Sequence, residues 1–554
     1  MRQESRQDEG GGNEGGGGEG GGGVFVCVPT VSENVPEMND PELVKPNMND
    51  DMDEGEDYEA AITATGYGPF QYWLILIGGF ANASDAIEIL CVSILLPAAE
   101  CDLHMTSEDK GWLSGIAFIG MMVGGYVWGC LGDIFGRRSV LMVSLVLNGL
   151  SGLASSFVQT FPSFLVFRFI SGVGVGGSIP LVWAYISEFQ PPSKRGAALS
   201  IIASFWMVGN VIVAVFALVT IPYDIGFQAP GFVYNSWRVF LTVCALPALI
   251  TAIVMMWLPE SPMFLLTKDR KDEALDVLRK MYSLNTGKQL YTYPIKILST
   301  AGLKVQKETR LTKWGTFTSA ILQTWRLTKA LFSRSLIFTT SIMIIINFTI
   351  QFGYYGLWLW FPELFNRLEQ YYNEHPYHNV SVCDLTEYHG NGTQQNTCKD
   401  DGHNVDTSAL ISILITSIAP LPANLWTIVC MDKLGRKFFL VFSMFLSGLA
   451  AFGVYLVKSS LDNLILACVF GALCTMGFNA LDCLGAELFP THLRSTALAV
   501  TLMAARIGAI LGTVTFGYLV DLYCAIPLLL VAAFLIFGGM LGLVLPNTTR
   551  IALM

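Results

Sequence analysis

Twelve apolar stretches of about 20 residues recur along this chain, each long enough to cross a hydrocarbon core of roughly 30 Å as a helix. They fall at 71–97, 111–131, 139–158, 163–186, 198–220, 237–258, 335–361, 408–429, 438–457, 463–483, 496–519 and 525–545. In a bilayer only helices or closed barrels satisfy the backbone. The length of these runs and their lack of strict alternation favour helices. The expected fold is an all-α membrane protein. Composition agrees, with 14% charged residues and a mean hydropathy of +0.50, against about 25% charged in soluble domains. A net charge of −11 also excludes nucleic acid as a partner, because phosphate contacts need a basic surface.

That charge is not spread evenly. Residues 1–70 hold 16 acids and three bases, and Gly10–Gly23 is a glycine run broken by Asn13, Glu14 and Glu19. Such a segment buries too little apolar surface to order itself, so 1–70 reads as a disordered acidic tail. The remaining expected units are a six-helix bundle over 71–262, a connecting loop with helices over 263–334, a second bundle over 335–545, and a short tail, 546–554. Lys271–Lys280 has an amphipathic helical pattern suited to lying against the bundle.

Lys and Arg fix an expected orientation. Arg137/Arg138, Lys194/Arg195, Lys433/Arg436/Lys437, Arg494 and the basic 263–333 connection share one side, read as cytosolic together with both termini. Lys110, Arg238, Arg367, Lys399 and Lys458 are the sparse cations of the other side. The connection 362–407 is therefore luminal or extracellular. Its sequons at Asn379 and Asn391 are glycosylation candidates. Cys383 and Cys398 lie in the same oxidising space and form the candidate disulfide. No Cys/His cluster suggests a metal, and no cofactor is expected.

A repeat at an offset of 299 residues organises the twelve spans. Asp133-x-x-Gly136-Arg137-Arg138 follows span 2, and Asp432-x-x-Gly435-Arg436-Lys437 follows span 8. Glu188-x-x-Pro191-x-x-x-Arg195 has its counterpart in Glu487-x-x-Pro490-x-x-x-Arg494. Two pseudo-symmetric six-helix halves around an axis along the membrane normal form a transporter design, with the site between them near the midplane. The glycines permit tight turns. The flanking charges either pair between helices as a cytosolic gate that biases two conformations, or only set topology.

With these motifs, the run Arg168-Phe-Ile-Ser-Gly172-Val-Gly174-Val-Gly176-Gly177 and Pro259-Glu260-Ser261-Pro262, the chain resembles the sugar-porter branch of the major facilitator superfamily over roughly residues 70–545. Ala83-Ser-Asp-Ala-Ile-Glu88, Ser204-Phe-Trp-Met-Val-Gly209, Ser236-Trp-Arg-Val-Phe240, Phe352-Gly-Tyr-Tyr-Gly-Leu357 and Asn479-Ala-Leu-Asp482 narrow the resemblance to the synaptic vesicle glycoprotein 2 family. Two departures stand out. The luminal connection is much shorter than that family's large luminal domain, and Ile134 follows Asp133 where the superfamily usually has Arg.

The resemblance implies the major facilitator fold, in a vesicle or plasma membrane. It also implies a proton-coupling pair of a span-1 acid with a span-4 arginine. Asp85 and Arg168 match those positions, and Glu88 lies one turn beyond Asp85 on the same face. Intramembrane charges need partners or a wet cavity, so the same residues also read as a permanent structural pair. Asp482 and Arg506 are the other deep charges. Asp482, Asn479, Phe478, Trp206, Asn347, Gln351, Tyr354 and Tyr355 are the candidate solute-binding residues. Aromatic faces with a few hydrogen-bonding groups suit a sugar or an organic cation.

Two functions follow. One is secondary transport of a small polar or cationic solute, with protons as coupling ion. The other is a transporter-shaped, non-transporting regulator of vesicle content or exocytosis, with residues 1–60 engaging a cytosolic exocytosis protein. Enzyme activity is not expected: no Gly-x-Ser-x-Gly, Walker or His-Glu-x-x-His motif occurs.

Overall fold

The computed structural model describes residues 57–299, 325–374, 381, 383 and 405–546. Among them twelve helices are long and apolar enough to cross a membrane: Pro69–Ala98, Ser107–Phe135, Arg137–Ser156, Phe161–Glu188, Pro192–Thr220, Ser236–Met255, Ile337–Tyr372, Thr407–Met431, Arg436–Leu456, Ser460–Gly485, Thr496–Leu519 and Ala525–Gly542. They are numbered spans 1–12. Local chemistry sets their starts. Proline occupies the first turn of spans 1 and 5, where its missing N–H costs nothing. Thr106 and Asp109 form a reciprocal capping box at span 2. Gly136 (φ 106°) and Gly435 (φ 94°) join spans 2 to 3 and 8 to 9, a backbone conformation that side-chain-bearing residues rarely adopt.

The packing repeats with the sequence. In the first half span 1 lies against 5 and 6, span 2 against 4, and span 3 against 4 and 6; adding six to each number gives the contacts of the second half. Between halves, span 2 meets span 11 and span 5 meets span 8, two interfaces that exchange under the same rule. Within a half, glycines bring helices into backbone contact. Gly120 and Gly124 of span 2 face the carbonyls of Phe169 and Val173, while Gly172 and Gly176 of span 4 face those of Ala117 and Met121.

Three expectations are corrected. First, residues 57–70 are not all disordered tail. Tyr58–Ala64 is a helix with Tyr58, Ala61 and Ile62 buried. Tyr58 Oη donates to the carbonyl of Glu188, and Tyr293 Oη donates to that of Ala61 at 2.7 Å. Apolar Tyr58, Ala61 and Ile62 on one face give this short segment a core; residues 1–56 lie outside the description. The expected amphipathic helix spans Lys271–Thr286 and buries Ala274, Leu275, Leu278 and Met281 against it. Second, span 7 does not end near 361. After a break at Leu359–Trp360, helix resumes over Phe361–Glu374, where Glu363 and Arg367 form ion pairs. Third, Cys383 pairs with Cys524, with Cα atoms 5.2 Å apart, not with Cys398. Nearness in sequence does not decide which sulfurs meet: Cys524 stands in the turn between spans 11 and 12, 141 residues from Cys383. Cys101 is also disulfide-bonded. Cys398, Asn379 and Asn391 lie outside the described residues, as do 300–324, 547–554 and the side chain of Asp432.

Candidate functional site

The charges of the first half form a closed network inside it. On span 1, Asp85 and Glu88 are 0% and 5% exposed, and Arg168 on span 4 is 1% exposed. The structure pairs Arg168 with Glu88, Nη1 to Oε1 at 2.7 Å, and not with Asp85. The reason is space: Gly152 on span 3 leaves room for the Glu88 carboxylate, whose Oε2 lies 3.2 Å from where a Cβ would stand. Ser171 Oγ donates to Glu88 at 2.5 Å, and Arg168 Nη2 donates to Ser155 Oγ at 2.5 Å. Asp85 instead accepts from Ser178 Oγ at 2.7 Å and from Asn148 Nδ2 at 3.4 Å. It has no cation.

The second half carries the open polar surface. Asp482 on span 10 is exposed. Among the described residues it makes no hydrogen bond or ion pair. One turn away, Asn479 Nδ2 donates to Asn424 Oδ1 at 2.6 Å. Tyr354 gathers aromatic rings, stacking on Trp358 at 5.5 Å and meeting Phe478 and Tyr355 edge-on at 5.0 Å. Tyr355 reaches the other half at Phe118, 4.6 Å between centroids, with the Arg506 guanidinium 5.8 Å from the same ring. Tyr354, Tyr355 and Phe478 therefore come together as expected. Gln351 is half-buried with Oε1 unpartnered. Asn347 spends its amide N–H on the Met343 carbonyl, 2.9 Å away in its own helix. Trp206 is half-buried on span 5 and packs against the main core.

The repeated motifs sit together at one end, the basic end, and pair within each half. Arg137 bonds Asp133 and lies 3.2 Å from Glu188. At the equivalent place Arg436 lies 3.1 Å from Glu487. Arg138 donates to the carbonyls of Met255 and Met256, and its N–H to Glu260 at 2.9 Å. Lys437 donates to the carbonyls of Leu543 and Leu545 at 2.7 Å. Arg195 reaches the Ser187 carbonyl at 3.1 Å and Glu59 at 3.3 Å. Burial draws the Arg494 guanidinium below its ordinary value, with Glu487 opposing.

At the opposite end, where 362–407 emerges, charges join the two halves. Lys110 of span 2, fully buried, holds Glu363 of span 7 at 2.7 Å and Glu100 at 2.8 Å. Arg367 holds Glu363 at 2.7 Å and Asp521 at 2.8 Å, and donates to Ser107 at 3.2 Å. Tyr518 bonds Glu108. Burial alone would raise the Asp521 carboxyl, but Arg367, Ser107 and Lys110 outweigh it and hold it below its usual range. Sequence reasoning used Lys110 and Arg367 only as topology markers. The missed signal was Glu363 and Arg367, four apart beside an apolar run. Span 5 meets span 8 mainly through Thr407–Ile418, the half nearest this end, while Leu425, Trp426, Val429 and Asp482 toward the basic end are exposed. The halves are closed at the loop end, and spans 5 and 8 make few contacts toward the basic end.

Comparison with known proteins places this architecture. Residues 60–352 match the family model "Sugar (and other) transporter", and residues 394–551 match "Major Facilitator Superfamily". Synaptic vesicle glycoprotein 2B of Mus musculus is 30% identical over 93% of this chain and 89% of its own length. Synaptic vesicle glycoprotein 2A of Rattus norvegicus is 30% identical over 89% and 79%. Among solved structures, the E. coli xylose transporter XylE in a partially occluded inward-open conformation superimposes with a TM-score of 0.61 at 18% identity, covering 89% of this chain and 98% of that one. Its inward-open form gives 0.62 at 17% identity, covering 87% and 97%.

Proposed function

This chain belongs to the synaptic vesicle glycoprotein 2 family, in the sugar-porter-like branch of the major facilitator superfamily, and from that premise we propose that it carries a small solute bearing a positive charge through the vesicle membrane by alternating access. One observation carries the choice of solute: Asp482, an exposed carboxylate with neither hydrogen bond nor ion pair among the described residues. A carboxylate at membrane depth is costly without a countercharge or water, and a cationic solute supplies the countercharge. Half-buried Phe478, one turn from Asp482 on span 10 and backed by buried Tyr354, offers an aromatic ring of the kind that attracts cations. Asn479 and Gln351 add polar groups that a hydroxylated solute also uses.

Uptake into proteoliposomes of a panel of small organic cations and of neutral sugars tests this. The expected result is accumulation of a cation, reduced at least tenfold by Asp482→Asn, on the order of 1.4 kcal/mol or more of transition-state interaction. Accumulation of a neutral sugar alone, indifferent to that substitution, would refute it.

Protons are the proposed coupling ion, and Asp85 the group that carries them. The Glu88–Arg168 pair is already complete, whereas Asp85, beside the Glu88 charge, is hydrogen-bonded by Ser178 and Asn148 and has no ion pair among the described residues. Proton entry there removes a carboxylate's pull on hydroxyl and amide donors from spans 3 and 4, which shifts the balance between conformers. Asp85→Asn is therefore expected to leave uptake independent of an imposed pH gradient. Retained gradient dependence would assign coupling elsewhere.

The basic end is read as cytosolic, with both termini there, because Lys and Arg concentrate at that end. A second reading rests on the helix Tyr58–Ala64. It fastens the end of the acidic N-terminal segment to the Glu188 carbonyl at the gate motif, which suits a regulator whose N-terminal segment binds a cytosolic exocytosis protein. Solute binding without flux would favour that reading.

A further inference from the structure

At the loop end the closed seam combines two features that the repeated motifs do not share. Lys110 and Glu363 are both nearly inaccessible, and they belong to different halves. Beneath them spans 2 and 11 touch backbone to backbone. A Cβ on Gly111 would stand 3.0 Å from Gly517 Cα, and one on Gly115 would stand 3.3 Å from Thr513 Oγ1. Among the described ion pairs of this end, Lys110–Glu363 crosses between the halves, Arg367 adds a hydrogen bond across to Ser107, and Glu100–Lys110 and Arg367–Asp521 brace the crossing pair from either side. Ion pairs buried this deeply repay their desolvation only while their geometry is intact. At the basic end, by contrast, Arg137–Glu188 and Arg436–Glu487 each lie within one half, so those pairs survive when that end parts.

We propose that Glu100, Lys110, Glu363, Arg367 and Asp521 form the loop-side gate of the transport cycle, an ionic latch that holds this end shut and breaks when it opens. The proposal rests on the transporter reading and adds the residues that time access from that side. The latch is two-state by construction. Separating spans 2 and 7 exposes Lys110 and Glu363 to water, where each is solvated and the partnership is worth little. Closing dehydrates both and demands their pairing. Arg367 links the cross-half pair to the rim: its other partner, Asp521, lies three residues before disulfide-bonded Cys524, and Glu100 precedes disulfide-bonded Cys101. Both outer acids thus sit beside covalent staples, so movement concentrates on the contact between Lys110 and Glu363.

The test reads conformation rather than flux. Thr513→Cys places a thiol in the closed seam, where Thr513 is fully buried; Asp482→Cys places one in the passage at the basic end. A membrane-impermeant maleimide is applied to the full chain from the loop side for the first and from the basic side for the second. In each case added labelling over the parent chain is measured. Glu363→Gln is expected to raise labelling at Thr513→Cys severalfold and lower it at Asp482→Cys, and Glu363→Asp to restore both toward the starting level. Asp521→Asn, at the rim, is expected to give a smaller shift of the same sign. Unchanged labelling at Thr513→Cys overturns the proposal. So does a rise at both reporters, which marks a loosened fold. Reciprocal movement of the reporters, with no uptake by the parent chain that carries neither of them, would uphold the latch and reject the transporter reading.

Discussion

Replacing Arg168 with leucine should remove most of the folded protein. Arg168 is 1% exposed and contributes bonds to Glu88, Ser155 and Cys91. Leucine fills comparable space but leaves the Glu88 carboxylate, 5% exposed, without a countercharge. Removing one partner of a buried pair costs about 3–5 kcal/mol, a large part of the ~5–15 kcal/mol that holds a typical fold. Fluorescence-detected size-exclusion of detergent-solubilised protein reads this as loss of the monodisperse peak. Two companions make the expectation specific. Asp85→Asn keeps the peak, because Asp85 is isosteric with asparagine and has no cation to orphan. Arg168→Leu combined with Glu88→Gln recovers part of it, because no charge is left unpaired. A single Arg168→Leu variant as monodisperse and as heat-stable as the parent would show that Glu88 is not held as a charged partner.

Gly176→Leu should be comparably damaging, for a reason of shape. A Cβ at Gly176 would collide with the carbonyl of Met121 and stand 2.7 Å from its Cα; one at Gly172 would collide with the carbonyl of Ala117. Neither obstacle is the end of a side chain that could swing aside. Spans 2 and 4 would have to separate along a seam where Gly120 and Gly124 make the reciprocal approach. Between helices in lipid, association depends on close packing and interhelical bonds rather than on a hydrophobic driving force. The cost is placed at about 3 kcal/mol, the upper end for overpacking. Gly129 on span 2 is the control: nothing lies within 4 Å of its Cβ position, so Gly129→Leu should melt within a few degrees of the parent in a thermal-shift assay. Equal melting temperatures for the Gly176 and Gly129 variants would contradict the packing argument.

Much of this protein is legible one residue at a time. The twelve spans follow from apolar run length, because a bilayer forbids unpaired backbone and leaves a helix as the solution for such runs. The duplication follows from two charged motifs keeping their mutual spacing, and the structure carries it into packing, with the main contacts of the first half repeated six spans later. Candidate residues were legible as types: Asp85, Glu88, Arg168 and Asp482 announced themselves as charges inside apolar runs. Their partners were not. Whether Arg168 meets Asp85 or Glu88 turns on a few ångströms of room opened by Gly152 on a third helix, and no spacing rule along span 1 encodes that. Cys383 likewise looked to the cysteine nearest in sequence, while its partner Cys524 stands 141 residues away.

Sequence by itself thus determined the medium, the helix count and the twofold repeat, because each depends on local composition or on a pattern that survives translation along the chain. Tertiary structure alone decided the loop-end latch, the separation of a sealed ionic core in one half from an exposed carboxylate in the other, and which end the halves are joined at. Those outcomes depend on distances between helices far apart in the chain, set by how small residues let backbones approach and how buried charges find counterparts.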